Sequence, residues 1–359
     1  MKTMINIDDI NQIKNLDKSN VLESVQALGK QCRQAWENVN EIVIKNDYSR
    51  VDRVVVAGMG GSALGAEIIK ALYFDRLKIP FEISRGYHLP RYVDQNTLVI
   101  LSSYSGTTEE ILSAAGEAEN AGAKIMAISA GGELEKTAIE KRYDFYKIRP
   151  DFNPSGQPRM ALGYSIFGIL GLLKMAGIID IENGEIEGVT AVIEEVRKKN
   201  GVEIATENNL AKQIALKLEN KIPLVLAAEH LAGNAKTFCN SINENAKTPA
   251  MFYLLPEANH HLLESLKNPA INKNNLIFLL FLSDQYEPAI KKRFEITEKV
   301  IEQNGIEKTV IQENGKTKLE EVMWLVAFGN WVIFYLAMIY GVDPATIPWV
   351  DYFKNEMKK

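Results

Sequence analysis

Apolar residues in this chain are spaced in two ways. Short, mostly apolar runs occupy Arg53–Ala57, Phe81–Ser84, Thr97–Leu101, Lys124–Ile128 and Phe145–Ile148. Between them the apolar positions return every three or four residues, as in Ala63–Leu72 and Glu109–Ala121. The first spacing predicts strands covered on both faces, and the second predicts the helices that cover them. Alternation of the two predicts a parallel sheet. The pattern resumes in the second half, with strands expected at Leu224–Ala227, Ala250–Leu254, Leu276–Leu282 and Lys308–Ile311. The chain therefore reads as two similar α/β domains, each doubly wound, with parallel sheets covered by helices.

Boundaries follow from the same pattern. Residues 1–45 form an N-terminal helical segment, with one amphipathic helix expected from Asp17 to Lys45. The first domain spans 46–180, a charged connecting helix 181–209, the second domain 210–342 and a C-terminal tail 343–359. Two apolar stretches, 161–179 and 322–342, end the two domains. The second is long enough to cross a bilayer. Both are read as buried core or interface helices, because the rest of the chain is ordinary soluble α/β sequence.

Composition narrows the function. A length of 359 residues suits two domains, and a net charge of −5 argues against nucleic acid or an anionic membrane as partner. Any bound anion must be held by local geometry. The two cysteines, Cys32 and Cys239, form no metal or redox motif and fit a reducing cytoplasm. The N-terminus is polar and resembles no secretory signal.

The chemistry concentrates in loops. After Thr97–Leu101 come Ser102, Ser103, Ser105, Thr107 and Thr108 around Gly106, then a helix start at Glu109. A hydroxyl-rich helix N-terminus suits a small phosphate, and the absence of a lysine excludes a nucleoside-triphosphate loop. Thr107 and Glu110 also spell a capping box, which explains one hydroxyl but not five. Gly58-Met-Gly-Gly-Ser-Ala-Leu-Gly65 follows the first strand and fits both a tight ligand-approach turn and a G-x-G-x-x-A dinucleotide pattern. Against the latter, Glu82 lies inside its strand and not at the carboxyl end. Asn153-Pro-Ser-Gly-Gln-Pro-Arg159 presents an arginine at the mouth of a buried helix, where an anionic partner is expected. Asn240-Ser-Ile-Asn-Glu244-Asn-Ala-Lys247 and Pro256-Glu-Ala-Asn259-His260-His261 flank a strand and offer a carboxylate and an imidazole for proton transfer. His88 and His230 join no ligand cluster with them, so no metal is expected. The charges of the tail, Lys354 among them, solvate a terminal helix.

Taken together, GMGGS, SYSGTTEE, GQPR, NENAK and NHH, in this order from about Val51 to Lys354, resemble the bifunctional phosphoglucose/phosphomannose isomerases. That resemblance implies two flavodoxin-like sugar isomerase (SIS) domains and a metal-free, cofactor-free aldose–ketose isomerase of glucose 6-phosphate, mannose 6-phosphate and fructose 6-phosphate. It implies that Gly60, Gly61 and Ser62 line the sugar site and that Ser103, Ser105 and Thr108 bind the phosphate. Arg159 would stabilise an enediolate, and Glu244 would move the proton between carbons 1 and 2. His260, arriving from the neighbouring subunit of a homodimer, and Lys354 would open the ring. Thr346 matches the threonine that makes room for either epimer at carbon 2. The chain departs from the family at Thr107, where asparagine is common. Rival readings are a non-catalytic phosphosugar sensor, an isomerase of another phosphosugar and, last, a nicotinamide-dependent dehydrogenase.

Overall fold

The computed structural model describes residues 5–312, 315–357 and 359. The first four residues of the N-terminal segment and Lys358 of the tail lie outside the described residues.

The first domain runs β1 (Arg53–Gly58), α4 (Gly61–Leu72), β2 (Phe81–Ser84), β3 (Thr97–Ser102), α5 (Glu109–Asn120), β4 (Lys124–Ser129), α6 (Gly132–Glu140), β5 (Asp144–Lys147) and α7 (Leu162–Met175). Three helices precede it: α1 (Ile10–Leu16), α2 (Val21–Gln26) and α3 (Leu28–Asn40). The second domain follows α8 (Asn183–Asn200) and α9 (Leu210–Leu218). It runs β6 (Ile222–Ala227), α10 (Ala232–Ser241), β7 (Met251–Leu254), the single turn α11 (Asn272–Asn275), β8 (Leu276–Leu282), α12 (Pro288–Gln303), β9 (Glu307–Gln312) and α13 (Lys318–Ile339). The tail ends in α14 (Pro348–Met357).

All strand pairs are parallel, in the orders β2-β1-β3-β4-β5 and β7-β6-β8-β9. This is the doubly wound, flavodoxin-like order, and it reverses between β1 and β3 and again between β6 and β8. The strands are apolar at nearly every position because successive side chains face opposite layers. Val55, Val99 and Ala127 pack with Ile111, Ala114 and Leu134 on one side of the first sheet. Val54, Ile100 and Met126 join the core shared with α7, α13 and the second domain.

The two domains meet through equivalent helices, α4 and α10. A Cβ on Gly233 would lie 2.5 Å from the Glu67 carbonyl oxygen, so only glycine permits this crossing. Lys236 of α10 pairs with Glu67 of α4 at 2.6 Å. The apolar helix α13 has the length and composition of a membrane span, but 94% of its most apolar window is buried inside the protein. Leu162–Leu173 of α7 is buried as well.

The N-terminal segment departs from the single helix expected over Asp17–Lys45. Asp17 accepts the N–H groups of Val21 (2.9 Å) and Leu22 (2.8 Å), and Asn20 takes a left-handed conformation at φ 56°. The Asp17 side chain thus caps the start of α2, while its own N–H closes α1 on the Ile13 carbonyl. A second break falls at Ala27, and α3 stops at Asn40.

Candidate active site

In the first sheet Gly58 is level with Ser102, so the glycine loop and the hydroxyl loop leave neighbouring strands side by side. They sit at the carboxyl ends, where the strand order reverses and ligands bind in such sheets. Hydrogen bonds lock them together. Ser102 Oγ donates to the Ser62 carbonyl at 2.8 Å, and Ser62 Oγ accepts the Tyr104 N–H at 3.0 Å.

Within the hydroxyl loop, Ser103 is buried; its Oγ accepts the Gly106 N–H at 3.1 Å and lies 2.8 Å from Thr108 Oγ1. Ser105 is exposed and accepts from the N–H (3.3 Å) and hydroxyl (3.1 Å) of Thr107. The expected Thr107–Glu110 capping box is not formed. Helix α5 begins one residue later, with Thr108 as N-cap, and the Thr108 side chain makes no capping bond because it pairs with Ser103. The first turn is therefore left without a side-chain cap, and its N–H groups and exposed hydroxyls suit an anion. Gly106 is fixed by backbone: its φ is +68°, and a Cβ there would lie 1.8 Å from the Gly131 carbonyl oxygen. The dinucleotide reading of the glycine loop loses its acidic partner, since the Glu82 carboxylate accepts the Tyr92 hydroxyl from within β2.

Arg159 sits on a one-turn 3₁₀ helix (Pro158–Met160) that leads into α7, and only 2% of it is exposed. A Cβ on Gly61 would lie 2.8 Å from the Arg159 nitrogen, so the glycine loop touches this backbone directly. The guanidinium is fully engaged. Nε donates to Asn245 Oδ1, and Nη1 donates to Gln157 Oε1 at 2.9 Å and faces Glu244 Oε2 at 3.4 Å. Nη2 donates to the carbonyls of Pro344 and Ala345, both at 2.8 Å. Burial pushes the Arg159 pKa down, and the charges of Glu244 and Asp343 oppose this. The group remains a cation at neutral pH.

Glu244 and Asn245 belong to a π-helical turn, Ile242–Ala246, that continues α10. The wider turn lets two consecutive side chains reach one guanidinium. Glu244 keeps about a third of its side chain exposed (32%). Lys247 ends the turn at φ 57°, and burial, then the charge of Arg159, lower its pKa to about 8.

Thr346 lies in the strap between α13 and α14, where its hydroxyl donates to the Asp343 carbonyl at 3.1 Å. One chain thus brings Gly61, Arg159, Glu244 and the Thr346 strap together. It does not join His260 or Lys354 to them. His260 ends a 3₁₀ turn (Glu257–His260) after the edge strand β7, and Lys354 lies on α14. Both are exposed, and neither side chain makes a hydrogen bond or ion pair among the described residues. His261, by contrast, rests against Tyr253, with ring centroids 6.0 Å apart. Gln157 and Asn245 were present in the GQPR and NENAK motifs but carried no assigned role. The strap carbonyls have no side-chain signature at all.

These features define a tandem SIS-domain protein with a hydroxyl-rich loop in its first crevice and an arginine–glutamate pair where the domains meet. The family described as SIS domain matches residues 47–148, and the bacterial phospho-glucose isomerase C-terminal SIS domain matches residues 207–357. A bifunctional phosphoglucose/phosphomannose isomerase of Caldicellulosiruptor bescii is 36% identical over 94% of this chain and 98% of its own length. One from Aquifex aeolicus is 31% identical over 90% and 94%. A hypothetical protein from Thermus thermophilus shares the fold, with a TM-score of 0.73 at 16% identity over 97% of this chain and 92% of that one. The chain belongs to the bifunctional phosphoglucose/phosphomannose isomerase family.

Proposed function

We propose that this protein interconverts fructose 6-phosphate with glucose 6-phosphate and with mannose 6-phosphate, using neither metal nor cofactor. The observation that carries the reading is the buried Arg159 facing a partly exposed Glu244 across the domain junction. Moving a proton between carbons 1 and 2 needs a base beside both carbons and a cation for the oxygens that become an enediolate. Glu244 is the base. Only one of its oxygens meets Arg159, and the other takes no hydrogen bond among the described residues. Arg159 is held by four other acceptors, so it stays in place and acts on the developing enediolate through its charge, its weakest donor being the one facing Glu244. General acid–base transfer contributes about 10²–10⁴-fold. The phosphate lies in the 102–108 loop, away from the reacting carbons, and contributes orientation.

Ring opening needs a second acid–base pair, and His260 and Lys354 supply it. Neither side chain has a hydrogen-bond or ion-pair partner among the described residues, and α14 exposes Trp349 (80%), Phe353 (62%) and Met357 (61%) with no buried residue along its length. A homodimer that covers this apolar helix and brings His260 into the neighbouring site answers both observations. The sugar phosphates are cytoplasmic metabolites of glycolysis and gluconeogenesis, and that is the setting we assign.

The test is a coupled assay of the purified protein in EDTA, supplied with fructose 6-phosphate, with glucose 6-phosphate and mannose 6-phosphate followed separately. Both products are expected. Neither product, from folded protein that still binds the sugar phosphate, refutes the reading and favours a sensor.

A further inference from the structure

Lys247 closes the turn that carries Glu244, and its ammonium is ringed by backbone carbonyls. They belong to Glu244 (2.8 Å), Asn245 (3.1 Å), Asp343 (3.1 Å) and Pro344 (3.3 Å). An ammonium has three N–H donors, so four acceptors leave none for a substrate. A lysine that merely capped its own turn would stop at the first two carbonyls. The other two are 96 and 97 positions away, in the strap that continues to Thr346 and α14. The Pro344 carbonyl also accepts from Arg159 at 2.8 Å. Two cations, one from each domain, therefore grip the same strap. Asp343 stiffens it from within, its Oδ1 accepting the Ala345 N–H at 2.8 Å.

We propose that Lys247 is a positioning residue of the site: it joins the Glu244 turn to the 343–345 strap and so fixes the Glu244 carboxylate relative to Arg159 and Thr346. The inference rests on Glu244 being the base. It needs no contact between Lys247 and substrate.

The surroundings of the ammonium make the idea open to titration. Arg159 faces it from the turn before α7, Asp343 from the strap and Glu244 from its own turn. Burial, then the positive charge of Arg159, bring its pKa down to about 8, with Asp343 and Glu244 opposing. Above that pH the amine keeps two N–H donors for four carbonyls, and the strap loses part of its hold. The folded-state pKa lies below the unfolded one. Between the two, the unfolded chain binds the extra proton, so this group's contribution to stability rises with pH. A fall in turnover across that window is then a loss of alignment, not of folding.

The experiment compares the full-length wild type with Lys247→Met, Lys247→Arg and Glu244→Gln, using fructose 6-phosphate between about pH 6.5 and 9.5. Lys247→Met is expected to lower kcat about 10–100-fold and to leave KM within about threefold, as misalignment at a reacting centre does. Lys247→Arg keeps a permanent cation and should recover at least about a third of kcat. The wild-type kcat should fall through a pKa near 8. That limb should be missing in Lys247→Arg. A Lys247→Met protein with wild-type kcat and the same alkaline limb overturns the proposal. So does one whose kcat, KM and melting transition fail together without rescue by arginine, the pattern of a plain structural cap. Full turnover in Glu244→Gln removes the base itself and is distinguishable from either result.

Discussion

The Glu244 carboxylate stands 3.4 Å from the Arg159 guanidinium, although 85 positions separate the two residues and they come from different domains. The pair exists because α4 and α10 cross closely at Gly233. That crossing carries the turn after α10 over the glycine loop of the first sheet. The pair is therefore a property of the domain junction, while the hydroxyl loop is a property of the first domain alone.

This division predicts separable defects. Ser105 is exposed and its hydroxyl only organises Thr107, so Ser105→Ala should fold normally. Losing one hydrogen bond to a charged phosphate should raise KM about tenfold and change kcat little. Steady-state kinetics decide this. A fall in kcat at constant KM would remove Ser105 from phosphate binding.

Gly106→Ala should be far more damaging. The added Cβ meets the Gly131 carbonyl at 1.8 Å, and the position has φ +68°. Neither neighbour can yield without moving the loop or the start of α6. A loss of about 2–4 kcal/mol is expected in denaturant unfolding, together with a raised KM. Wild-type stability and KM in this variant would mean that the loop accommodates a side chain at this position.

If His260 acts on the partner's site, two inactive proteins should restore each other. Mixed dimers of Glu244→Gln and His260→Gln subunits would contain one site with both residues intact. Each parent should be at least about 100-fold impaired. After denaturation and joint refolding, activity should return to about a quarter of wild type, since random pairing makes half the dimers mixed and each has one good site. No recovery would mean that Glu244 and His260 serve one site from the same chain.

Much of this was legible beforehand, for physical reasons. Strands such as Val54–Ala57 and Leu276–Leu282 are buried on both faces, so they stand out as apolar runs, and each was found within one or two residues of its expected position. Loops at the carboxyl ends of those strands announced themselves through glycines and hydroxyls. Residues whose roles depend on the meeting of the domains were less visible. Nothing in Pro344 or Ala345 signals that their carbonyls hold Arg159. The π-helical turn at Ile242–Ala246 leaves no periodicity shift long enough to read. In the N-terminal segment the expected helix began four residues early, because the Asp17 side chain caps the N–H groups of Val21 and Leu22, and it ran through the break at Ala27. The Thr107–Glu110 box failed for a different local reason: α5 starts one residue later, with Thr108 at its N-cap, and the Thr107 hydroxyl donates to Ser105 instead.

If Glu244 moves the proton between carbons 1 and 2, isotope exchange should stop when its carboxylate is removed. Wild type and Glu244→Gln would be incubated with fructose 6-phosphate in deuterium oxide, and deuterium entering carbon 1 followed by NMR alongside sugar-phosphate binding by calorimetry. Steady exchange is expected in the wild type. In Glu244→Gln exchange should be at least about 100-fold slower with the binding constant nearly unchanged. Exchange at the wild-type rate in the glutamine variant would contradict this role and send the search for the base elsewhere in the site.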